Sequence, residues 1–194
     1  MPRATRPAPA YRKLFPRETA LVRQHLLQLG PASRRSRFGG FVSDPFIQSY
    51  SEGLIGPSHL IYGAFSDEHL LGVGELCLAF GKGPASGEIA VSVAEGWQDL
   101  GIGSELVSRA LLSARNRFLG HLYLLCQQDN HRMQRIAKKF GAEITALSGE
   151  ILAEFKPPLA DHLSLMSEWL GNAKDSIAYI RLGMDAAKTA GPGD

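Results

Sequence analysis

The chain has 194 residues, of which 44% are hydrophobic and 21% are charged, and its formal net charge is +2. This size suits one domain with a single substantial core, and the near-neutral charge argues against a nucleic-acid ligand, so we expect a small molecule or a peptide. Cys77 and Cys126 stand far apart in apolar segments, and no apolar run is long enough to cross a membrane or to form a secretory signal, so we expect a cytoplasmic protein.

The N-terminal part of the chain begins with a segment that has little to bury. Residues 1–10 contain three prolines and two arginines, which is typical of a disordered tail. Residues 11–15 predict a strand, and the helical spacing of the apolar residues that follow predicts a helix ending at Gly30. The segment 33–40, SRRSRFGG, breaks that spacing and is interpreted as a basic loop. A second short helix is predicted over residues 45–53.

Three β-type segments follow, at residues 59–65, 70–80 and 88–93. Polar and glycine-rich turns separate them, with a flexible turn over residues 81–87, which predicts an antiparallel meander. The remaining pattern predicts a helix, a strand covered on both faces, a second helix and a closing hairpin, at residues 106–114, 121–126, 133–140 and 142–155. This order predicts a mixed α/β sheet whose N-terminal half is antiparallel.

An additional helix is predicted at the C-terminus, within residues 157–188. Its apolar residues recur at alternating intervals of three and four, as in a heptad seam: Leu163, Met166, Leu170, Ala173, Ile177, Ile180 and Met184. Such a seam packs either on the domain formed by residues 11–156 or on a second copy of the chain in a homodimer. The sequence leaves both alternatives open.

A glycine-containing loop lies between the last strand of the meander and the following helix: Gln98, Asp99, Leu100, Gly101, Ile102, Gly103 and Ser104. Amide groups at a helix N-terminus bind phosphate, glycine lets a ligand approach the main chain, and Ser104 can add a hydroxyl. A Walker loop would require Gly-Lys-Ser/Thr, and a dinucleotide fingerprint would require glycine or alanine at Leu106. Neither pattern fits, so we expect another type of phosphate-binding loop.

Gln98, Gly101 and Gly103 match Gln/Arg-x-x-Gly-x-Gly/Ala, the signature of the GCN5-related N-acetyltransferase (GNAT) superfamily. The chain resembles this superfamily over about residues 11–155. A downstream marker is similar too, because Asn130 precedes a helix that ends in Phe-Gly. The resemblance implies a GNAT fold, to which the helix predicted at the C-terminus is an addition.

The resemblance also implies a cofactor site and a reaction. It indicates acetyl-CoA as the co-substrate, held by the loop from Gln98 to Ser104, by Asn130 and by main-chain amides near Val91 and Val93. It further implies direct acyl transfer to a primary amine. No histidines have metal-ligand spacing, so no metal is expected.

Acyl transfer from a thioester to an amine needs a base for the ammonium proton and an acid for the leaving sulfur. Glu88 resembles the catalytic glutamate of the histone acetyltransferase branch, although it can also be an exposed residue beside a turn; Glu75 is a second candidate base. Ser92 shares a strand face with Glu88, and Tyr123 lies on a neighbouring strand, which makes both candidate acids. A core position for Tyr123 and protonation by solvent are the alternatives.

Two departures from the superfamily pattern affect this interpretation. Asp99 and Leu100 stand where many members have arginine or lysine, so phosphate binding must depend more on amides. Many members also have a tyrosine seven residues after the asparagine, which protonates the leaving thiolate; this chain has Ala137 there. These departures leave open a second hypothesis, a catalytically weak CoA-binding or regulatory module.

The resemblance places the first two helices and their connection beside the acceptor. This makes four residues candidate substrate contacts: Arg34, Arg35, Arg37 and Phe38. A solvated basic loop is the alternative, because arginine clusters on loops commonly have no ligand. The acceptor amine is either a small molecule or a peptide or protein, and the sequence does not separate these classes.

Overall fold

The computed structural model describes residues 7–54, 56–79 and 85–189. The strands are β1 (Ala10–Lys13), β2 (His59–Ser66), β3 (His69–Ala79), β4 (Ser86–Val93), β5 (His121–Gln127), β6 (Glu143–Leu147) and β7 (Glu150–Phe155). The helices are α1 (Thr19–Gln28), α2 (Pro31–Phe38), α3 (Asp44–Glu52), α4 (Ile102–Asn116), α5 (His131–Lys139) and α6 (His162–Thr189). Most of the predicted tail and most of the predicted turn at residues 81–87 lie outside the described residues.

The strands form one sheet in the order β1-β2-β3-β4-β5-β7-β6. Strands β1 to β4 pair antiparallel with their neighbours, β4 pairs parallel with β5, and β7 pairs antiparallel with both β5 and β6. The predicted mixed sheet with an antiparallel N-terminal half is therefore confirmed. No helix in the described ranges is both long and apolar enough to cross a membrane.

The sheet opens at its centre, between β4 and β5. The parallel pairing joins Ser86–Glu88 to His121–Tyr123 and no further residues, although β4 continues to Val93 and β5 to Gln127. The two strands therefore diverge beyond Glu88. Helix α4 follows β4 and covers one face of this opening, while α2 contacts β4 and β5 on the other face.

Helix α4 approaches the sheet closely because β3 carries glycine beneath it. A Cβ atom on Gly74 would lie 2.8 Å from Leu106 Cβ, which is closer than the two atoms can stand without a shift. Leu106, Val107 and Ala110 are fully buried in the layer between α4 and the sheet. The absent side chain at Gly74 thus sets the height of α4 above the sheet.

Two local expectations are wrong. The segment interpreted as a basic loop is mainly the helix α2, which has Pro31 in its first turn and ends at Gly39 with a φ of 75°. Helix α2 has no buried residue, so no apolar spacing could reveal it. Strand β5 is not covered on both faces, because Leu122 and Leu124 are buried while Leu125 is exposed.

Helix α6 lies on the domain, but not through its heptad seam. Leu163, Met166 and Leu170 are exposed, whereas Ser164 and Asp175 are buried against the domain. The side chains of the last three seam positions, from residue 177 onwards, lie outside the described residues. The first three positions of the seam therefore face away from its own domain.

The close contact at Gly74 can be tested by adding a single methyl group. Gly74→Ala is expected to lower the free energy of unfolding by about 1–3 kcal/mol, because the Cβ atom displaces Leu106 and α4. Urea denaturation followed by circular dichroism measures the effect. Gly171→Ala in α6 is the control, since a Cβ there meets nothing within 4 Å. It should leave stability unchanged or raise it, and equal losses in both variants would contradict the argument.

Candidate active site

Two adjoining cavities flank the opening between β4 and β5. The loop cavity, of about 480 Å³, is lined by the Gln98–Ser104 loop, by β4 and by α5. The carboxylate cavity, of about 310 Å³, is lined by Glu75, Glu88 and Glu150. Both cavities share Ser36 and Arg37 of α2, so they adjoin at this helix.

The predicted loop forms an uncapped helix N-terminus. Gly101 is the N-cap residue, with a φ of 84°, and no side chain caps the helix there. The amide of Glu105 donates to the carbonyl of Gly101, which is the first turn of hydrogen bonding in α4. The amides of Ile102, Gly103 and Ser104 precede that turn and therefore have no partner within the helix. This arrangement is suited to an anion.

The members of the loop differ in which atoms they can offer. Gly101, Gly103 and Ser104 line the loop cavity. Ile102 has its side chain buried in the core, so only its amide can contact a ligand. Leu100 has an exposed side chain and is not part of the cavity wall.

Gln98 tethers the loop to its surroundings. Its Nε2 atom donates to the carbonyl of Val93 at 3.1 Å, and its Oε1 atom accepts from Arg132 Nη1 at 2.9 Å. Arg132 also forms an ion pair with Asp99, 2.8 Å between Nη2 and Oδ2. The acidic residue that departs from the superfamily pattern is thus balanced by an arginine from α5.

The loop cavity carries more positive charge than negative charge. Four cationic side chains line it, against two carboxylates: Arg37, Arg132, Arg135 and Lys139 against Glu95 and Asp99. Three of the cations come from one face of α5, at helical spacings of three and four residues. The sequence therefore contained a signal for this basic face, which our interpretation missed when it assigned phosphate binding mainly to amides.

Asn130, Val91 and Val93 also line the loop cavity. Asn130 caps α5, because its Oδ1 atom accepts from the amide of Met133 at 3.1 Å, so a ligand would meet its amide nitrogen. Val91 and Val93 lie on the part of β4 that no longer pairs with β5. Backbone groups along that edge can pair with an extended ligand, as strands do.

Ser92 is buried and its side chain is bound to a histidine from α1. His25 Nε2 lies 2.9 Å from Ser92 Oγ, and His25 Nδ1 lies 3.3 Å from the carbonyl of Leu70. Burial lowers the pKa of His25 to about 4, so the ring is neutral at pH 7. Because the carbonyl can only accept, Nδ1 carries the proton and Ser92 donates its hydroxyl proton to Nε2. The helical spacing that predicts α1 gives no sign of this hydrogen bond between His25 and Ser92.

The carboxylate cavity contains a buried network around Glu75. Tyr50 and Arg37 donate to its Oε2 atom, each at 2.6 Å, and His59 Nδ1 lies 2.9 Å from its Oε1 atom. Burial alone would raise the pKa of Glu75, but the hydrogen bond from His59 and the charge of Arg37 outweigh it and lower the pKa. A carboxylate with a lowered pKa is a weak base, which argues against Glu75 in that role.

Glu88 differs from Glu75 in exposure. It lies on β4 opposite Cys77 of β3, lines the carboxylate cavity and is open to solvent. Glu88 is therefore the better placed of the two candidate bases.

The two cysteines do not fit a nucleophile. Burial raises the pKa of the Cys77 and Cys126 thiols, so both stay protonated at neutral pH.

The remaining predicted residues are only partly brought to the site. Tyr123 stacks on His121, with ring centroids 6.3 Å apart, and lines neither cavity. Arg34 bonds to Asp44 at 2.6 Å and to main-chain carbonyls, which joins α2 to α3. Arg35 is exposed and also lines neither cavity.

Arg37 and Phe38 do reach the carboxylate cavity. Phe38 packs edge-on against Tyr50, with ring centroids 5.4 Å apart. Within the described ranges, no three His, Cys, Asp or Glu side chains are placed to share a metal ion. The geometry therefore combines a helix N-terminus suited to an anion with an adjoining pocket that contains carboxylates.

Comparison with known proteins assigns this geometry to a family. Residues 29–142 match the model of the Acetyltransferase (GNAT) family. No match is found among curated proteins.

Solved structures with similar folds include several whose titles name this family or activity. The GNAT domain of S. lividans PAT is 15% identical, covers 76% of this chain and 90% of its own, and has a TM-score of 0.64. The PaiA N-acetyltransferase from Thermoplasma acidophilum, in complex with coenzyme A, is 17% identical, covers 77% and 99%, and has a TM-score of 0.57. The putative acetyltransferase YncA from Salmonella typhimurium, with acetyl-CoA, is 12% identical, covers 80% and 97%, and has a TM-score of 0.59. At these identities the likeness concerns the fold.

The neutral state of His25 predicts a dependence of stability on pH. Its pKa of about 4 in the folded chain lies below the ordinary value of 6.5, so the unfolded chain binds the proton more readily. Stability is therefore lost as the pH falls from about 6.5 towards 4.

Between pH 7 and pH 5, the wild type should lose about 2 kcal/mol more unfolding free energy than His25→Gln. Glutamine is neutral and can still accept from Ser92. Urea denaturation at the two pH values measures the difference. Parallel losses in both proteins would show that His25 titrates normally in the fold.

Proposed function

Because this chain belongs to the acetyltransferase (GNAT) family, we propose that it transfers an acetyl or another short acyl group from acetyl-CoA to a primary amine. The resemblance predicted from the sequence is confirmed by the family match, and the expected fold is confirmed by the sheet and its structural neighbours. The observation that carries the proposal is the uncapped N-terminus of α4, which opens into a cavity lined by four cationic side chains.

The residues of the loop cavity fit the phosphates of coenzyme A. The amides of Ile102, Gly103 and Ser104 are suited to the diphosphate, because they converge at a helix N-terminus. The basic face of α5 supplies the charge that the loop lacks. Two of the similar structures contain coenzyme A or acetyl-CoA, which supports the assignment by analogy of fold.

The free edge of β4 fits the pantetheine arm. Its amides and carbonyls from Ile89 to Val93 have no strand partner on the β5 side in the described sheet. The arm has amides of its own and can complete these hydrogen bonds. Acetyl-CoA supplies the activated thioester, and an amide near Val91 or Val93 would donate to its oxygen as negative charge develops.

Glu88 is the proposed base. An amine is mostly protonated at neutral pH, so a carboxylate must take a proton, directly or through water, before nitrogen can attack the carbonyl. Glu88 faces the carboxylate cavity, which adjoins the loop cavity at Arg37. The new N–C bond forms as the C–S bond breaks.

The leaving thiolate then needs a proton. The hydroxyl proton of Ser92 is directed at His25, which does not fit the role of acid that its strand position suggested. Tyr123 lines neither cavity, and Ala137, at the position of the family tyrosine, is fully buried in the core. We therefore propose that solvent protonates the thiolate.

The acceptor side favours a cation. Three carboxylates line its cavity, and Arg37 and His59 both bond to one of them, Glu75. Glu88 and Glu150 remain to attract an ammonium group, on either a small molecule or a peptide.

We propose a cytoplasmic location for the reaction, in keeping with the two free cysteines.

A second candidate function is a CoA-binding or regulatory module with weak activity. The observation that favours it is the absence of a general acid at position 137. Ala137 has no proton to give to the thiolate, and it is buried in the core. This alternative predicts the same coenzyme binding but no acceptor-dependent release of thiol.

The basic face of α5 predicts a specific loss of coenzyme binding. Arg135→Gln should weaken binding of acetyl-CoA about two- to fivefold at low salt, because it removes one exposed charge from the cavity wall. Isothermal titration calorimetry measures the dissociation constant. The effect should shrink as ionic strength rises.

Lys138→Gln is the matched control, since Lys138 is exposed on the same helix and does not line the cavity. Its dissociation constant should equal that of the wild type. Equal weakening in both variants would mean that only the net charge of the protein matters.

Glu88→Gln tests the chemistry. Loss of a general base should slow acceptor-dependent release of free thiol by about a hundredfold or more, while acetyl-CoA binding stays unchanged. The acceptor is first identified by mass spectrometry of cell extract incubated with labelled acetyl-CoA. Glu143→Gln is the control, because Glu143 is an exposed carboxylate of β6 that pairs with Lys156. Tight coenzyme binding without turnover on any acceptor would support the module instead.

A further inference from the structure

The outward face of α6 is a continuous apolar surface that the proposed reaction does not use. Leu163, Met166, Trp169 and Leu170 are 78%, 58%, 68% and 47% exposed. At about 100° per residue, these four side chains lie on one side of the helix. We call this set the α6 stripe. The family match ends at residue 142, so the stripe lies outside the matched region.

The opposite face of α6 is polar and is fixed to the domain. Ser164 Oγ donates to Asn116 Oδ1 at 2.7 Å, and Asp175 accepts from the amide of Lys13 at 2.8 Å. Glu168 accepts from Ser113 at 2.8 Å and forms an ion pair with Arg117, also at 2.8 Å. Turning the helix to bury the stripe would strip these groups of their partners. The polar contacts therefore hold the stripe towards solvent.

The exposed apolar area is large enough for an interface. With the adjacent Leu159 and Leu165, which are 83% and 46% exposed, the surface amounts to roughly 800 Å². Monomeric proteins rarely expose a contiguous apolar patch above a few hundred Å². A standard interface buries about 800 Å² on each partner. The stripe together with Leu159 and Leu165 thus has about the area that one partner contributes to a standard interface.

We infer that two copies of this chain associate through their α6 stripes, with the two helices packed side by side about a twofold axis. A twofold axis places the same surface on both partners, so the leucine, methionine and tryptophan side chains of one stripe pack against the same apolar side chains of the other. The alternating spacing of three and four in the sequence, from Leu163 to Met184, is the spacing that paired helices require. The helix is 28 residues long, or about 42 Å, which gives the pair sufficient contact length.

Analytical ultracentrifugation of the full chain tests this inference. The wild type should sediment at twice the 21.0 kDa chain mass at micromolar concentrations. Leu170→Glu should raise the dimer dissociation constant by at least about tenfold, because it places a charge at the centre of the interface. Emission from Trp169 should also shift to shorter wavelength as the wild type is concentrated.

Leu147→Glu is the matched control. Leu147 is 45% exposed, close to the 47% of Leu170, but lies on the edge strand β6. This variant should keep the wild-type mass. If Leu170→Glu does not fold by circular dichroism, the double variant Met166→Ser and Trp169→Ser replaces it, with the same expected loss of dimer.

Three results would overturn the inference. The first is a wild type that stays at 21.0 kDa up to about 100 μM, a range in which an interface of standard size should be populated. Sedimentation of that monomer with phospholipid vesicles would identify the stripe as a membrane-binding surface instead. The second is a dimer that survives every stripe variant. The third is a dimer that Leu147→Glu dissociates, since this would place the interface at the sheet edge.

Discussion

β4 leaves its parallel neighbour after three residue pairs, and the candidate site depends on that divergence. One edge of β4 from Ile89 to Val93 has no strand beside it in the described sheet, although the other edge pairs with β3 throughout. Backbone groups away from water need partners. This edge is therefore where an extended ligand gains main-chain hydrogen bonds. At its far end, the loop turns into α4 and presents the helix amides, so one continuous stretch of backbone can bind both an arm and an anion.

Electrostatics separates the two sides of the opening. The loop cavity is basic through α5, and the carboxylate cavity is acidic through Glu88 and Glu150. Arg37 lies at the junction, but its charge is bound to the buried Glu75. Under the proposed reaction, a polyanionic donor would be drawn to the loop cavity and a cationic acceptor to the carboxylate cavity. The buried pair also anchors α2 to β3, which keeps the wall between the cavities in place.

Features that depend on a few neighbouring residues could be predicted from the sequence. The Gln98–Ser104 loop, the strands of the meander and the helix after Asn130 each have a signal within a few residues. Features that depend on distant residues could not. His25 and Ser92 are 67 residues apart, and nothing near either one indicates their hydrogen bond. Helix α2 has no apolar stripe in the core, and apolar periodicity reports only helices that have one. In α6, the seam was recognised, but its outward orientation follows from polar contacts to α4 and β1.

The most direct test concerns the amides of Ile102, Gly103 and Ser104. In ¹⁵N-labelled protein, their NMR resonances should shift strongly on addition of coenzyme A and much less on addition of pantetheine, which lacks the diphosphate. Resonances of β4 should respond to both compounds. If the three amides do not respond to coenzyme A while it binds elsewhere, the diphosphate is not held by this helix N-terminus, and the assignment of the site is contradicted.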